Sequence, residues 1–264
     1  MASASIMNIG DTMPDLYNAI FRRKSIRQYN MTPLDTLQDI QDFIDALTPM
    51  FPDIQVHFEY AVRQDIMNLL PVAAPHYLVA FSEKKDGYLL NMGFMMQQID
   101  LYLSSRGLGS CWLGVALPHS EFRHRTQLSY VIMLAFGRPQ SLSHRQDVQE
   151  FKRKTPEEIA SSPTPWLEAV RLAPSATNRQ PWYFIGDESH FHAYCLQHHL
   201  INALIYGRLH QIDMGIALCH LWLAVMHDGG RVEFNNMAGR PEPPKGYTYA
   251  ISGIIRQNDS IELG

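Results

Sequence analysis

Cysteine is scarce in this chain. Cys111, Cys195 and Cys219 lie far apart with no CxxC pair, and an odd, dispersed set of three excludes a disulfide framework. An excess of one charge is also missing. Lys and Arg number 22 against 26 Asp and Glu, so the net charge of −4 creates no field that would draw nucleic acid or an anionic membrane. No apolar run approaches bilayer-spanning length. The opening MASASIMNIGDTM has neither the basic nor the apolar region of a secretory signal. There is no GxSxG elbow, so a Ser-His-Asp hydrolase lacks support. Among 12 histidines, His190-x-His192, Cys195-x-x-His198 and His198-His199 lie close together. Adjacent histidines diverge on a helix, and no second pair has metal-ligand spacing, so a metal site is not expected. These absences leave a soluble, reduced, cytoplasmic protein as the expectation.

What is present is enough apolar material for one large domain or two modest ones: 264 residues, 46% hydrophobic and 18% charged. Thr32-Pro33-Leu34-Asp35 reads as a helix start, with Thr as the cap and Pro in the first turn. Leu34, Leu37, Ile40, Ile44 and Leu47 follow at helical spacing. Tyr77 to Phe81 and Tyr130 to Phe136 are short, unbroken apolar runs that predict buried strands, and Thr248 to Ile255 predicts a last one. Tyr88 to Arg106 predicts a helix stopped at Gly107, and Asp213 to Met226 a helix stopped at Gly229-Gly230. Between them, residues 140–165 form a polar connector, and a helix starts near Pro165 and runs to Leu172.

The two long helices share a pattern. Met92, Gly93, Leu101 and Gly107 recur at one offset as Met214, Gly215, Leu223 and Gly229. A similar offset lays TPMFPDIQVHF (48–58) under APSATNRQPWY (173–183), pairing Pro49 with Pro174, Asp53 with Asn178 and Gln55 with Gln180. Two segments with nearly the same spacing predict two related halves, about 1–155 and 156–264.

Four stretches have the chemistry to hold a ligand. FRRKSIRQY (21–29) crowds Arg22, Arg23, Lys24 and Arg27 around Ser25, a combination suited to the several acceptor oxygens of a phosphate, although a solvated basic face has the same composition. EFKRKTPEE (150–158) adds Lys152 and Lys154, which share a side if the segment is extended. SSRGLGSCWLG (104–114) closes a helix with glycines instead of opening one, so it is no dinucleotide fingerprint. Its Gly109 and Gly114 exceed what a helix stop needs, and glycine there lets backbone approach something flat or turn sharply. LAPSATNRQPWYF (172–184) places hydroxyls and amides in a turn stiffened by two prolines.

Taken together, RRKSIR, GLGSCWLG, KRKTP and APSATNRQPW resemble the FMN-dependent nitroreductase family over most of the chain, and APSATNRQPW is the most specific of the four. The usual members carry the Arg-Ser-Arg motif, then PSxxNxQPW, then the glycine motif in one subunit of a homodimer. Here PSATNRQPW comes last, as in the tandem variety in which one chain imitates the dimer. The resemblance implies an α+β fold of mixed β-sheets flanked by helices, with two related halves forming a pseudo-dimer. It also implies that Arg23, Lys24, Ser25 and Arg27, with Lys152 and Lys154 as the late basic pair, hold the phosphate, ribityl chain and pyrimidine edge of FMN. Pro174, Ser175, Ala176 and Asn178 would take the partner subunit's role, with Gln180 securing the turn. Trp112, Leu113 and Gly114 would offer backbone groups to the isoalloxazine. TPMFPDIQVHF lacks the Ser and the Asn, and the second half has no RRKSIR, so one site per chain is expected.

The family's chemistry is a hydride relay from NADH or NADPH through flavin N5 to a nitroaromatic, quinone or similar acceptor, with no catalytic side chain required. The expectation is therefore an FMN-dependent NAD(P)H oxidoreductase acting on small molecules as a monomeric pseudo-dimer, with no nucleic-acid or membrane partner. The alternatives are a degenerate module that binds or senses flavin without turnover, and a structural remnant with an empty cleft.

Overall fold

The runs His76–Ser82 and Ser129–Gly137 have no polar alternation because both of their faces are buried. In the computed structural model, which describes residues 15–141, 144–197 and 203–257, Leu78 and Ala80 enter one core. Tyr77, Val79 and Phe81, on the opposite face of the same strand, enter a second, smaller one. Such a strand reads as a continuous apolar run.

In chain order the helices are α1 (Leu16–Ile20), α2 (Gln38–Asp45), α3 (Tyr88–Ser105), α4 (Ser120–Arg123), α5 (Pro156–Ile159), α6 (Leu167–Arg171) and α7 (Ala203–His227). The strands are β1 (Val56–Ala61), β2 (Ile66–Met67), β3 (His76–Ser82), β4 (Gly109–Leu113), β5 (Leu117–Pro118), β6 (Ser129–Gly137), β7 (Trp182–Gly186), β8 (His190–Leu196), β9 (Gly230–Asn235) and β10 (Tyr247–Gln257). β1-β3-β6-β4 form one antiparallel sheet and β7-β8-β10-β9 another, while β2 and β5 pair separately. Taken in chain order within each sheet, both follow first, second, fourth, third. The chain is an α+β fold in which the same sheet topology occurs twice.

Between the sheets, α3 and α7 pack along each other. A Cβ placed on Gly93 of α3 would lie 2.1 Å from the carbonyl oxygen of Ile212, and one on Gly215 of α7 would lie 2.1 Å from that of Leu90. Each helix thus presents its glycine to the other's backbone at matching positions. That reciprocity is the signature of a twofold axis, here relating two segments of one chain. The large core spans both halves and fills the space around this helix pair.

Tyr206–His227 is long and apolar enough by composition to cross a membrane, with mean hydropathy 1.3, contrary to the expectation from the sequence; yet 78% of that window is buried inside the protein. α7 also begins ten residues before the expected Asp213. The Thr32-Pro33 helix start does not form. Leu34 N–H donates to His76 Nε2 at 2.9 Å, which holds this segment outside the helix, and α2 starts at Gln38. His190 and His192 lie on strand β8, not on a helix, and His192 Nδ1 is 2.7 Å from Ser252 Oγ. His198 and His199 lie outside the described residues.

Candidate functional site

The RRKSIR segment is laid against the glycine motif by backbone pairing. Ile26 N–H donates to Ser110 O at 2.9 Å, and Ser25 bridges Ser110 alongside edge strand β4. Gly109 permits this approach, since a Cβ there would lie 2.7 Å from the Ile26 side chain. Beneath them sits buried Asp100 of α3. It accepts from Arg23 Nε at 2.5 Å, from Trp112 Nε1 at 3.1 Å and from Ser110 Oγ. Arg23 is only 3% exposed, so its charge is largely committed to Asp100, while a second nitrogen reaches Ser25 Oγ at 3.1 Å. The geometry makes Arg23 a brace that fixes Trp112 and Ser25.

The opposite wall is the 174–180 turn. Thr177, Asn178 and Gln180 have φ of 51°, 57° and 50°, three non-glycine residues in the left-handed region within four positions. Asn tolerates that region, but a β-branched Thr is strained in it, and strain of this kind persists only where surrounding contacts enforce it. Those contacts are visible. Ser175 Oγ accepts Gln180 N–H at 2.8 Å, and Ala176 N–H donates to Asp213 Oδ1 at 2.9 Å. Asn178 Nδ2 donates to Lys152 O at 2.7 Å, and its Oδ1 accepts from Arg153 Nη1 at 2.6 Å. Gln180 Oε1 accepts Lys154 N–H at 2.8 Å.

Between these walls lie two adjoining cavities that share Ser25, Arg27, Pro174, Ser175 and Thr177. The inner one, about 130 Å³, has Trp112, Gly114 and Cys111 on the first-half side, with Ala176, Leu209, Ile212 and Asp213 on the other. The outer one, about 410 Å³, is basic: Arg23, Lys24, Arg27, Arg145, Lys152 and Arg153 surround it, with Glu150 the one carboxylate on its wall among the described residues. Cofactor clefts run to ~300–1,000 Å³, a range the outer cavity reaches, and a small inner compartment behind a charged mouth suits a ligand bearing an anionic tail.

Most of the residues singled out in the sequence meet here. Arg23, Lys24, Ser25, Arg27, Trp112, Gly114, Lys152, Pro174, Ser175, Ala176 and Asn178 line the cleft. Three do not. Lys154 is turned away because its Nζ donates to Gln180 O at 3.0 Å. The Leu113 side chain is buried in the smaller core with Ile26 and Tyr29. Gln180 is buried behind the turn that it closes.

Arg145, Arg153 and Asp213 were not anticipated. Arg145 stacks 3.9 Å over the Phe151 ring and donates to Arg23 O. Burial, reinforced by Arg23, Arg145 and Arg171, pulls the Arg153 guanidinium down to about 9, and among the described residues its Nε has no partner. Alternation along an extended KRK favours the two lysines, and only the fold shows that the Arg between them faces the cleft. Asp213 had a signal in the repeat, because the offset that pairs Met92 with Met214 also pairs Asn91 with it. The equivalence is structural too. Asn91 Oδ1 accepts Phe51 N–H at 3.0 Å, where Asp213 Oδ1 accepts that of Ala176. Phe51, whose N–H Asn91 accepts, packs against Gly87.

The two-sheet fold that sets the RRKSIR segment against the 174–180 turn has counterparts among known proteins. A family model described as "Putative TM nitroreductase" matches residues 15–225, and the chain belongs to this nitroreductase family, a class of oxidoreductases. A solved structure from Thermotoga maritima, described as a putative nitroreductase, covers 97% of this chain and is itself covered in full, at 21% identity and a TM-score of 0.63. An FMN-dependent nitroreductase from Clostridium difficile R20291 covers 53% of this chain and 95% of its own, at 17% identity and a TM-score of 0.40. No curated protein matches the sequence.

Proposed function

We propose that this chain is an FMN-dependent NAD(P)H oxidoreductase that reduces a small acceptor such as a nitroaromatic or quinone, with one flavin site made jointly by the two halves. The observation that carries the reading is the electrostatics of the outer cavity. Lys24, Arg27, Arg145, Lys152 and Arg153 converge there, and among the described residues none of them has a carboxylate within ion-pair distance. Like charges so close destabilise one another until an anion arrives. Arg153 Nε, without a partner among the described residues, suits a phosphate oxygen, and the inner compartment, lined by Trp112 and Leu209, takes the ring in this reading.

In this reading Lys24, Lys152 and Arg153 hold the phosphate, and Asn178 keeps Arg153 aimed at it. Arg27, shared by both cavities, lies by the pyrimidine edge, where a cation favours the more negative reduced state. Bound FMN would supply the two-electron chemistry, accepting hydride from a nicotinamide and passing it to the acceptor. The chain itself orients the ring, through Trp112 locked to Asp100 and through the rigid turn, and keeps water from its inner face with Leu209, Ile212 and Ile216. A cytoplasmic monomer, divided near residue 155, completes the proposal.

The test is an FMN titration followed by anaerobic addition of NADPH or NADH. A 1:1 complex whose visible absorbance bleaches supports an enzyme; binding without bleaching supports the flavin-binding module. Absence of binding removes the reading. Charge-assisted hydrogen bonds contribute about 1.5–3 kcal/mol each, so Arg153→Ala should weaken FMN about tenfold or more.

A further inference from the structure

Asp213 has a feature that the binding of a phosphate-tailed ring does not explain. It lines the inner cavity from α7 and is buried, with Oδ1 fixed by Ala176 N–H. Its Oδ2 is buried and, among the described residues, has no partner. Burial lifts the carboxyl to about 8, against a small opposing effect of that one N–H. No other charge offsets the burial. On its own helix, His210 Nδ1 lies 3.2 Å from Leu196 O. On β8 the Cys195 thiol is itself pushed up to about 12 by burial, with Asp213 contributing. Across the cavity, burial raises the Cys111 thiol, and Arg27 forms no ion pair with Asp213.

The molecule contains its own control. At the matching position of the other half, Asn91 does the same structural work, with Oδ1 accepting both Met50 and Phe51 N–H. A neutral amide therefore suffices to hold the turn, and the acid at 213 has a different use. Burial of a carboxyl with one oxygen tied to an N–H and the other unpartnered favours the acid form, and a carboxylic acid is a strong hydrogen-bond donor.

We infer that Asp213 is the hydrogen-bond donor of the inner cavity, offering Oδ2–H to an acceptor atom, a carbonyl oxygen or unprotonated ring nitrogen, of the flat ring held between Trp112 and Leu209. This rests on the flavin reading for the identity of the ring, but not for the protonation of the acid. It makes the compartment selective for rings that present an acceptor there, and it couples their binding to a proton. Below the carboxyl's transition the donor is in place. Above it, binding requires uptake of one proton, so affinity falls up to tenfold per pH unit.

Two measurements test this. First, FMN is titrated by fluorescence quenching between pH 6 and 9.5 into the full chain and into Asp213→Asn, which keeps the Oδ1 contact and donates from Nδ2 at every pH. Affinity of the native chain should hold to about pH 8 and then fall, and the break should be absent in the variant. A native profile flat to pH 9.5, or the same break in both proteins, overturns the inference. Arg153 is common to both, so a loss that it causes would appear in both. Second, the infrared difference spectrum of native chain minus Asp213→Asn, without ligand, should contain a protonated carboxyl C=O band at pH 7 that vanishes near pH 9. Its absence at pH 7 overturns the inference whether or not FMN binds. Its presence in a chain that does not take up FMN removes the flavin reading and leaves the donor intact.

Discussion

Replacing Gly93 by Ala should damage the protein more than its chemistry suggests. In an ordinary helix interior the change adds stability, up to ~1 kcal/mol, because Ala restricts the unfolded chain. Here the new Cβ would lie 2.1 Å from the Ile212 carbonyl oxygen, and Cβ atoms essentially never come within 3.0 Å of a heavy atom. The obstacle is backbone and cannot rotate away, so α3 and α7 must part by about 1 Å, and a gap of that size forfeits a quarter to a half of each dispersion contact across it. Overpacking costs ~1–3 kcal/mol where side chains can adjust and more where they cannot. Set against the gain in propensity, a net loss of at least about 2 kcal/mol is expected, a fall in Tm of roughly 4–8 °C for a chain of this size. Gly215→Ala meets Leu90 O at the same 2.1 Å and should cost the same within about 0.5 kcal/mol, since the two sites are related by the pseudo-twofold. Gly207→Ala, on α7 with nothing within 4 Å of its Cβ, should instead raise Tm. Calorimetry or circular dichroism melts of the three variants decide the matter. A Gly93→Ala protein as stable as the parent, or a large difference between it and Gly215→Ala, would refute the reciprocal crossing.

Other consequences can be measured in the same way. Asp213 binds a proton in the folded state up to about pH 8 but only to 3.8 when unfolded, so its contribution to stability diminishes as pH rises between those values. The stability of Asp213→Asn relative to the parent should grow by about 2–3 kcal/mol between pH 5 and 7 in urea melts, and a constant difference would contradict this assignment. His220, wedged between Gln97 and Ala169 O, is held down to about 3 by burial. Its neutral form stabilises the fold fully above 6.5, and this is lost as pH falls towards 3; His220→Gln should lessen the acid sensitivity, and an unchanged acid limb would count against it. Thr177→Gly relieves a strained φ of 51° and should stabilise by on the order of 1 kcal/mol, whereas a destabilised variant would show that the turn is not strained there. If FMN binds as proposed, Arg27→Gln should lower the two-electron potential of the bound flavin, and a potential that stays put or rises would move Arg27 away from the ring.

How much of this was legible depended on whether a local pattern or a distant contact decided the outcome. β3, β6 and α3 were plain, because strands buried on both faces and a helix stopped by Gly107 at φ 73° mark themselves. The doubling was legible in Met92, Gly93 and their counterparts, since a helix crossing that needs glycine leaves glycine in the sequence twice. β8 was hidden by its histidines, which resemble ligands until Ser252 is seen beside one of them. The helix start at Thr32-Pro33 has good local chemistry but loses to a contact with His76, 42 residues away. Arg23 illustrates the limit most clearly. Its motif marked it for a ligand, but Asp100 lies 77 positions on in the sequence, and nothing local indicates that the two pair.

The pairing of Asn91 with Asp213 has a consequence for how such a protein can change over generations. In a symmetric homodimer one codon specifies both copies of every residue, so an acid useful in one cleft is imposed on the other, and a phenylalanine that closes one closes both. Joined in a single chain, the two positions are inherited separately. One can keep a buried acid at 213, with its cost in stability, while the other carries an inert amide at 91 that only holds the backbone of Met50 and Phe51. The amide side then serves the stability of the whole while the acidic side stays available for a ligand, a division of labour that identical subunits have no means of encoding.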